Sequence, residues 1–120
     1  MIPIVIPSYE PDDRFPTILK EIAKAGLGPV VVVDDGSGDA YKGYFEEAET
    51  LVSPLGGVVL HHEVNKGKGR ALKTAFSYIL ENMPEAIGCV TADSDVSIQS
   101  SALRNAWIHL RRIPIVSYWA

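Results

Sequence analysis

The sequence predicts an α/β domain with a mostly parallel sheet that is covered by helices on both faces. Its 120 residues are one domain's worth of chain, and 47% hydrophobic and 22% charged residues are ordinary for a globular protein. Short apolar runs typical of strands alternate along the chain with stretches of helical periodicity. Because these runs are apolar along their whole length, they are typical of strands buried on both faces.

The first strand and the first helix are predicted near the start of the chain. Residues 2–6 are a mostly β-branched run closed by Pro7, which predicts a buried strand that ends in a turn. A helix is predicted to begin at Asp12 or Asp13, because apolar positions then recur at helical spacing until Gly26.

The second strand–helix unit begins with the apolar run at residues 30–33. The segment that follows, residues 34–39, reads Asp-Asp-Gly-Ser-Gly-Asp and consists of turn-forming residue types. A helix is predicted after this turn, from about Ala40 to Val52.

The third unit combines a strand at residues 57–61, a basic glycine loop at residues 65–69 and a long helix that Pro84 ends. The apolar face of that helix is predicted to consist of Leu72, Ala75, Phe76, Ile79 and Leu80. A fourth strand is predicted at residues 87–92. Its Cys89 is the single cysteine, so it cannot form an internal disulfide, and its apolar neighbours predict a buried thiol rather than a reactive one.

A polar cluster follows each predicted strand. The clusters are residues 8–10, 34–35, 65–68 and 93–95. In an open α/β sheet the ligand crevice lies beyond the carboxyl ends of the strands. We therefore expect all of these clusters to converge on one edge of the sheet.

Asp93 and Asp95 flank a single residue, and a loop with that spacing can point both carboxylates at one hard cation. A bare Asp-x-Asp also occurs as a solvated turn. Its position at a strand end favours the metal interpretation.

The loop at residues 65–70, Asn-Lys-Gly-Lys-Gly-Arg, brings cations and backbone amides to a helix start, an arrangement that suits a diphosphate. It has neither the spacing of a Walker loop nor the third glycine of the dinucleotide fingerprint, since Leu72 stands in that place. A solvated basic turn is the alternative interpretation.

Asp34 and Asp35 can offer a carboxylate to a ribose hydroxyl or to a base N–H, and an Asx-turn with a helix cap is the alternative. The aromatic face of Tyr9 can stack on a base, although such a residue is often simply packed. His61 and His62 are adjacent on a strand, so they are predicted to point to opposite faces. They lack metal-ligand spacing, and no catalytic role is predicted for either.

The charge balance excludes one class of partner. Eleven Lys plus Arg against fifteen Asp plus Glu give a net charge of −4, the wrong sign for a protein that coats nucleic-acid phosphates.

The opening residues lack the basic region of a signal peptide, and no stretch approaches the roughly 18 apolar residues of a membrane-spanning helix. The sequence therefore predicts a cytoplasmic protein.

Four motifs in this order resemble the donor half of family 2 glycosyltransferases, especially the polyprenyl- and dolichyl-phosphate sugar transferases. The motifs lie at residues 6–10, 33–37, 65–69 and 91–95, within a resemblance that covers residues 1–95. The resemblance implies a GT-A-like, Rossmann-like fold and a nucleoside-diphosphate sugar, UDP- or GDP-linked, as donor. It also implies Mg²⁺ or Mn²⁺ as cofactor, and a polyprenyl phosphate acceptor that would bring the protein to the inner membrane surface.

The resemblance also implies roles for individual residues. Those expected to contact the nucleotide sugar are Pro7, Tyr9, Glu10, Asp34, Asp35, Lys66, Gly67 and Asp93. Asp93 and Asp95 are expected to hold the metal that neutralises the departing diphosphate. Family members transfer the sugar with inversion, and the carboxylate that deprotonates the acceptor belongs to an acceptor half that we do not find here.

Residues 96–120 depart from the family pattern, so we expect a truncated fold that is inactive alone. Relatives usually continue with Gly-Gln-His, whereas residues 96–99 read Val-Ser-Ile-Gln. The genetic code permits a DNA sequence for these residues that encodes Gly-Gln-His-Thr in another reading frame. That frame starts one base earlier, and the additional base is a G. Codons permitted for residues 113–120 likewise encode Asn-Pro-Asp-Ser-Leu-Val-Leu-Gly when the frame starts one base earlier with an A. We therefore expect this tail to be an out-of-frame translation, which the coding DNA tests.

The main prediction is a glycosyltransferase donor domain, and the alternative is a non-catalytic nucleotide-sugar-binding module or subunit. A phosphoacceptor receiver domain would need the aspartate pair after the first strand and a lysine after a fifth. A sugar nucleotidyltransferase would need a glycine- and arginine-rich loop after the first strand. The sequence shows neither pattern.

Overall fold

The computed structural model describes residues 2–86 and 89–91. Strands and helices alternate along these residues. The strands are β1 (Ile4–Ser8), β2 (Val30–Asp35), β3 (Val58–His62) and β4 (Val90–Thr91), and the helices are α1 (Arg14–Lys24), α2 (Lys42–Val52) and α3 (Lys68–Asn82). Short 3₁₀ turns at Asp39–Tyr41 and Ser53–Leu55 flank α2.

The strands form one parallel sheet in the order β3-β2-β1-β4. Each connection from one strand to the next contains a helix, as parallel neighbours require. The predicted α/β class with a parallel sheet is therefore confirmed.

Two apolar layers cover the sheet. Ile4 and Ile6 of β1 lie in the layer that includes α1 and α2, whereas Val5 between them lies in the layer that includes α3. Val30 and Val32 of β2 alternate in the same way with its other valines. Because both faces of these strands are buried, their sequences are continuously apolar.

α3 packs on the sheet through most of the predicted apolar face, because Ala75 and Ile79 are buried and Leu72 and Phe76 pack against the same cluster. Its buried positions are Ala71, Ala75 and Ile79. Leu80, predicted to belong to the apolar face, is 59% exposed, so that prediction is wrong. The alanines at positions 71 and 75 are small enough to let the helix backbone approach the sheet, and this rotates Leu80 outward.

Cys89 precedes β4 and is fully buried, as the sequence predicts. Burial raises the pKa of its thiol to about 11, so the reactive thiolate is strongly disfavoured at neutral pH. Within the described part of the chain, none of the helices has both the length and the apolar character that crossing a membrane requires.

Candidate functional site

The loops that follow β1, β2 and β3 meet at the carboxyl edge of the sheet, as the sequence predicts. Between them lies a cavity of about 360 Å³, which we call the strand-end cleft. Its lining residues are Pro7, Ser8, Tyr9, Glu10, Pro11, Asp12, Arg14, Asp35, Asn65, Gly67 and Lys68. This volume lies in the range of roughly 300 to 1,000 Å³ that small-molecule sites occupy.

The Asp35 carboxylate is the centre of the hydrogen bonding in this cleft. Its Oδ1 atom lies 2.8 Å from His62 Nδ1 and accepts a bond of 2.9 Å from the backbone N–H of Lys66. Its Oδ2 atom accepts bonds of 2.9 Å from the N–H of Gly67 and 3.2 Å from the Asn65 side-chain amide. A carboxylate offers about four lone-pair positions, so these partners use its whole accepting capacity.

Two opposing effects act on the pKa of Asp35. Burial, the larger single influence, raises it, because a charged carboxylate is disfavoured away from water. The hydrogen bonds from His62, Lys66 and Gly67 together outweigh burial and hold the pKa below its usual value. Asp35 is therefore ionised at neutral pH, although it is only 3% exposed.

Gly36 allows the loops after β2 and β3 to come into direct backbone contact. It has a φ of +74°, and a Cβ added there would overlap the backbone of Val64 and Asn65. Glycine is thus required at this position both for the left-handed backbone and for the close approach.

Ser37 joins the loop after β1 to the loop after β2. Its hydroxyl oxygen accepts a hydrogen bond of 2.9 Å from the backbone N–H of Glu10, which has an unusual φ of +48°. The N–H of Ser37 donates to Asp34 Oδ1 at 3.0 Å. These two bonds fix the backbone on which the cleft-lining Tyr9 and Glu10 are carried.

Asp34 faces a different cavity from Asp35. Its Oδ2 atom lies 3.0 Å from His61 Nδ1, and both residues line a separate cavity of about 430 Å³ beside the edge strand β3. Successive residues of a strand point to opposite faces, which explains why adjacent aspartates are separated in this way.

Tyr9 and Arg14 both line the cleft. Tyr9 is 51% exposed, and hydrogen bonding to the Glu10 carboxylate raises its pKa. The Arg14 guanidinium binds the Asp12 carboxylate at 2.6 Å, and this bond lowers the pKa of Asp12. The lining of the cleft thus includes an exposed aromatic residue and a paired cation.

The structure brings together most of the predicted nucleotide-sugar residues within the described chain. Pro7, Tyr9, Glu10, Asp35 and Gly67 line the strand-end cleft. Lys66 contributes its backbone N–H, through Asp35, rather than a lining side chain. Asp34, as described above, lies in the other cavity.

Comparison with known proteins agrees with this geometry. The profile described as glycosyl transferase family 2 matches residues 4–114. The chain belongs to that family. The resemblance to family 2 glycosyltransferases that the sequence motifs indicate is therefore confirmed.

Two curated relatives are each 32% identical to this family 2 glycosyltransferase over the aligned residues. One is an uncharacterized protein of Methanocaldococcus jannaschii, aligned over 92 residues that cover 77% of this chain and 34% of the relative. The other is an undecaprenyl-phosphate 4-deoxy-4-formamido-L-arabinose transferase of Pseudomonas fluorescens, aligned over 111 residues that cover 78% of this chain and 32% of the relative. The chain thus spans about a third of the length of these relatives. No solved structure matches it significantly.

The predicted metal residues of this family member, Asp93 and Asp95, lie outside the described residues. Residues 2–86 and 89–91 contain no group of three or more His, Cys, Asp or Glu side chains that could hold a metal ion. β4 runs parallel to β1, with Val90 beside Ile4 and Thr91 beside Val5. Its carboxyl end therefore points toward the edge of the sheet at which the strand-end cleft opens.

Sequence reasoning missed the contribution of His62. The register of β2 and β3 places Asp34 beside His61 and Asp35 beside His62. As predicted, the two histidines point to opposite faces: His61 toward Asp34, and His62 toward Asp35. Two neighbouring parallel strands that each end in a pair of polar residues were the signal for these cross-strand pairs.

Proposed function

We propose that this chain is the donor-binding part of a glycosyltransferase and that a nucleoside-diphosphate sugar binds in the strand-end cleft. The observation that carries the proposal is the Asp35 carboxylate, which ties the loop before α3 to the end of β2 inside that cleft. Open α/β sheets bind nucleotides at this edge.

The nucleoside is proposed to lie among Pro7, Tyr9 and Glu10. Tyr9 offers an exposed aromatic face, on which any base can stack. The Glu10 carboxylate and the Asp35 carboxylate are acceptors for the base N–H or ribose hydroxyls. Because Asp35 already accepts four bonds, the 3.2 Å bond from Asn65 is the one we expect a nucleoside to displace.

The diphosphate is proposed to lie at the start of α3. The first turn of a helix presents backbone N–H groups without intrahelical partners, and its dipole favours negative charge. Gly67, at the N-cap, has a φ of +95°. A Cβ added there would have no neighbouring atom within 4 Å, so there is free space beside this residue. Lys68 lines the same side and adds positive charge.

The divalent metal is proposed to be Mg²⁺ or Mn²⁺ held by Asp93 and Asp95. Carboxylate oxygens are the ligands that these hard cations prefer, and the direction of β4 supports a position near the cleft. Such a cation supplies Lewis-acid stabilisation of the departing diphosphate. The chain's own part is to orient the donor through the loops at residues 8–10 and 65–68.

The acceptor is proposed to be a polyprenyl phosphate, which would bring a cytoplasmic protein to the inner membrane surface. The support is the Pseudomonas relative, which is named as an undecaprenyl-phosphate sugar transferase. We propose that residues 1–95 are the donor half, that transfer inverts the anomeric centre, and that the chain is inactive without an acceptor half.

We also propose that residues 96–120 are translated out of frame. The support is that codons permitted for residues 96–99 and 113–120 encode family-like sequences in a shifted frame. The family match in the present frame runs on to residue 114, which is evidence on the other side, and the coding DNA decides between them. Finding the shifted codons there supports the proposal, and their absence overturns it.

Calorimetric titration with UDP and GDP, with and without Mn²⁺, tests the donor site. We expect one nucleotide to bind in a metal-dependent manner, and we expect Asp95→Ala to abolish this dependence. Asp39→Ala, which removes an exposed carboxylate outside the strand-end cleft, is the matched control and should bind like the unaltered chain. A folded chain that binds neither nucleotide would contradict the proposal. Binding without transfer is expected of this chain under both hypotheses, so transfer to a polyprenyl phosphate when an acceptor half is supplied is the result that separates a transferase from a non-catalytic module.

A further inference from the structure

We propose that His62 is a positioning residue that holds the Asp35 carboxylate and, through it, the loop at residues 65–67 that forms one wall of the strand-end cleft. The link to nucleotide binding rests on the proposed function, whereas the effect on the loop can be measured without it.

His62 connects two elements that flank the cleft. Its side chain is 6% exposed, with Nδ1 lying 2.8 Å from Asp35 Oδ1 and Nε2 lying 2.8 Å from the Thr74 hydroxyl of α3. Asp35 ends β2, so a single imidazole joins the end of that strand to the second turn of the helix. This arrangement sets the distance between the two elements.

The direction of the hydrogen bond to Asp35 follows from the chemistry of the partners. An ionised carboxylate only accepts hydrogen bonds, so Nδ1 of His62 must donate. The Thr74 hydroxyl also lies 3.0 Å from the carbonyl oxygen of Arg70. It can donate to that carbonyl or to Nε2, but in both cases the proton on Nδ1 is required.

The bond from His62 differs in origin from the other bonds that Asp35 accepts within the described chain. Lys66, Gly67 and Asn65 all belong to the loop that the carboxylate holds. His62 belongs to β3 and is the partner that orients the carboxylate with respect to the sheet. Without it, the carboxylate and the loop can move together.

Two substitutions separate the roles of the two ring nitrogens. The side-chain amide nitrogen of His62→Asn stands near the Nδ1 position and can still donate to Asp35. The amide nitrogen of His62→Gln stands near the Nε2 position, next to Thr74, and leaves the Asp35 contact unmade. Thr74→Val is the matched control, because it removes the hydroxyl at nearly constant volume.

Amide hydrogen exchange at Lys66 and Gly67 is the first readout. Since hydrogen bonds to charged groups are strong, we expect His62→Gln to accelerate exchange at least about tenfold relative to the unaltered chain. His62→Asn and Thr74→Val should stay within about threefold. Thermal unfolding of each variant corrects for any general loss of stability. Equal acceleration in the Asn and Gln variants, or none in either, would overturn the proposal.

Titration with UDP and GDP is the second readout. We expect the affinity for the bound nucleotide to fall at least about tenfold in His62→Gln and to recover in His62→Asn. If the unaltered chain binds neither nucleotide while exchange follows the expected pattern, the proposed function fails and the positioning role stands. If the unaltered chain binds a nucleotide and His62→Gln binds it equally well, the link from His62 to nucleotide binding is overturned and the proposed function stands.

Discussion

The Asp35 carboxylate and the backbone N–H of Gly67 are joined by a hydrogen bond of 2.9 Å, although 32 positions separate the two residues along the chain. This bond connects the end of β2 to the residue that caps α3. It makes the wall of the cleft at residues 65–67 depend on a buried charge. Several of the measurable properties of the protein should therefore trace to Asp35.

Replacing Asp35 by Asn should destabilise the fold and remove a pH-dependent component of its stability. An amide nitrogen would face backbone N–H donors, at a cost of about 2–4 kcal/mol in free energy of unfolding. Because the pKa of Asp35 in the folded protein lies below its ordinary value of 3.8, its ionisation stabilises the protein above that pH. This stabilisation should be lost as the pH falls through the lower, folded-state value.

Urea unfolding of both chains between pH 2 and 7 measures this effect. The free-energy difference between them should be largest near neutral pH and should shrink below about pH 4. A difference that stays constant across this range would show that the charge of Asp35 is not what stabilises the loop.

Gly36→Ala should be markedly more destabilising than Gly26→Ala. Both glycines have similar positive φ values, +74° and +70°, so each alanine adds a strain of about 1–2 kcal/mol. Only at Gly36 would the new Cβ also overlap the backbone of Val64 and Asn65, because nothing lies within 4 Å at Gly26. We expect a further loss of about 1–3 kcal/mol in chemical denaturation. Equal losses would mean that the loops are not in close contact.

Cys89 should resist alkylation in the folded protein. With a pKa of about 11, its thiolate fraction at pH 8 is on the order of 10⁻³, against roughly 0.2 for an ordinary cysteine. Mass spectrometry after iodoacetamide treatment should show reaction at least on the order of 100-fold slower than in urea. As the sequence contains one cysteine, the modified site is unambiguous. Similar rates in both conditions would contradict the burial.

The neighbouring residues Ile79 and Leu80 should respond very differently to truncation. Ile79 is fully buried against the sheet, so Ile79→Ala should cost about 2–5 kcal/mol. Leu80 is 59% exposed, and Leu80→Ala should change stability by no more than about 0.5–1 kcal/mol. Thermal or urea unfolding of the two variants checks the orientation of α3. A larger loss of stability in Leu80→Ala than in Ile79→Ala would show that Leu80 belongs to the packed face of α3, as the sequence predicts.

Much of the fold and part of the site were predictable from local patterns. Val30 to Val33 are apolar without a break, and such a run is sufficient to predict a strand covered on both sides. Pro7, Tyr9, Glu10 and Gly67 were predictable as neighbours, because parallel strands end at the same edge. The sequence predicted most of the packed face of α3, but it did not predict that Ala71 rather than Leu80 belongs to it, since both residues are apolar and only packing against the sheet selects between them.

The sequence by itself determined the order of strands and helices, the parallel sheet and the family, because these depend on periodicity and on motifs that are local in the chain. Tertiary structure decided which of two adjacent aspartates enters the cleft and gave His62 its partners. Alternation along β2 separates Asp34 from Asp35, and the register with β3 supplies a histidine to each. Contacts between residues 27 to 32 positions apart exist only after the strands have paired, so no local pattern contains them.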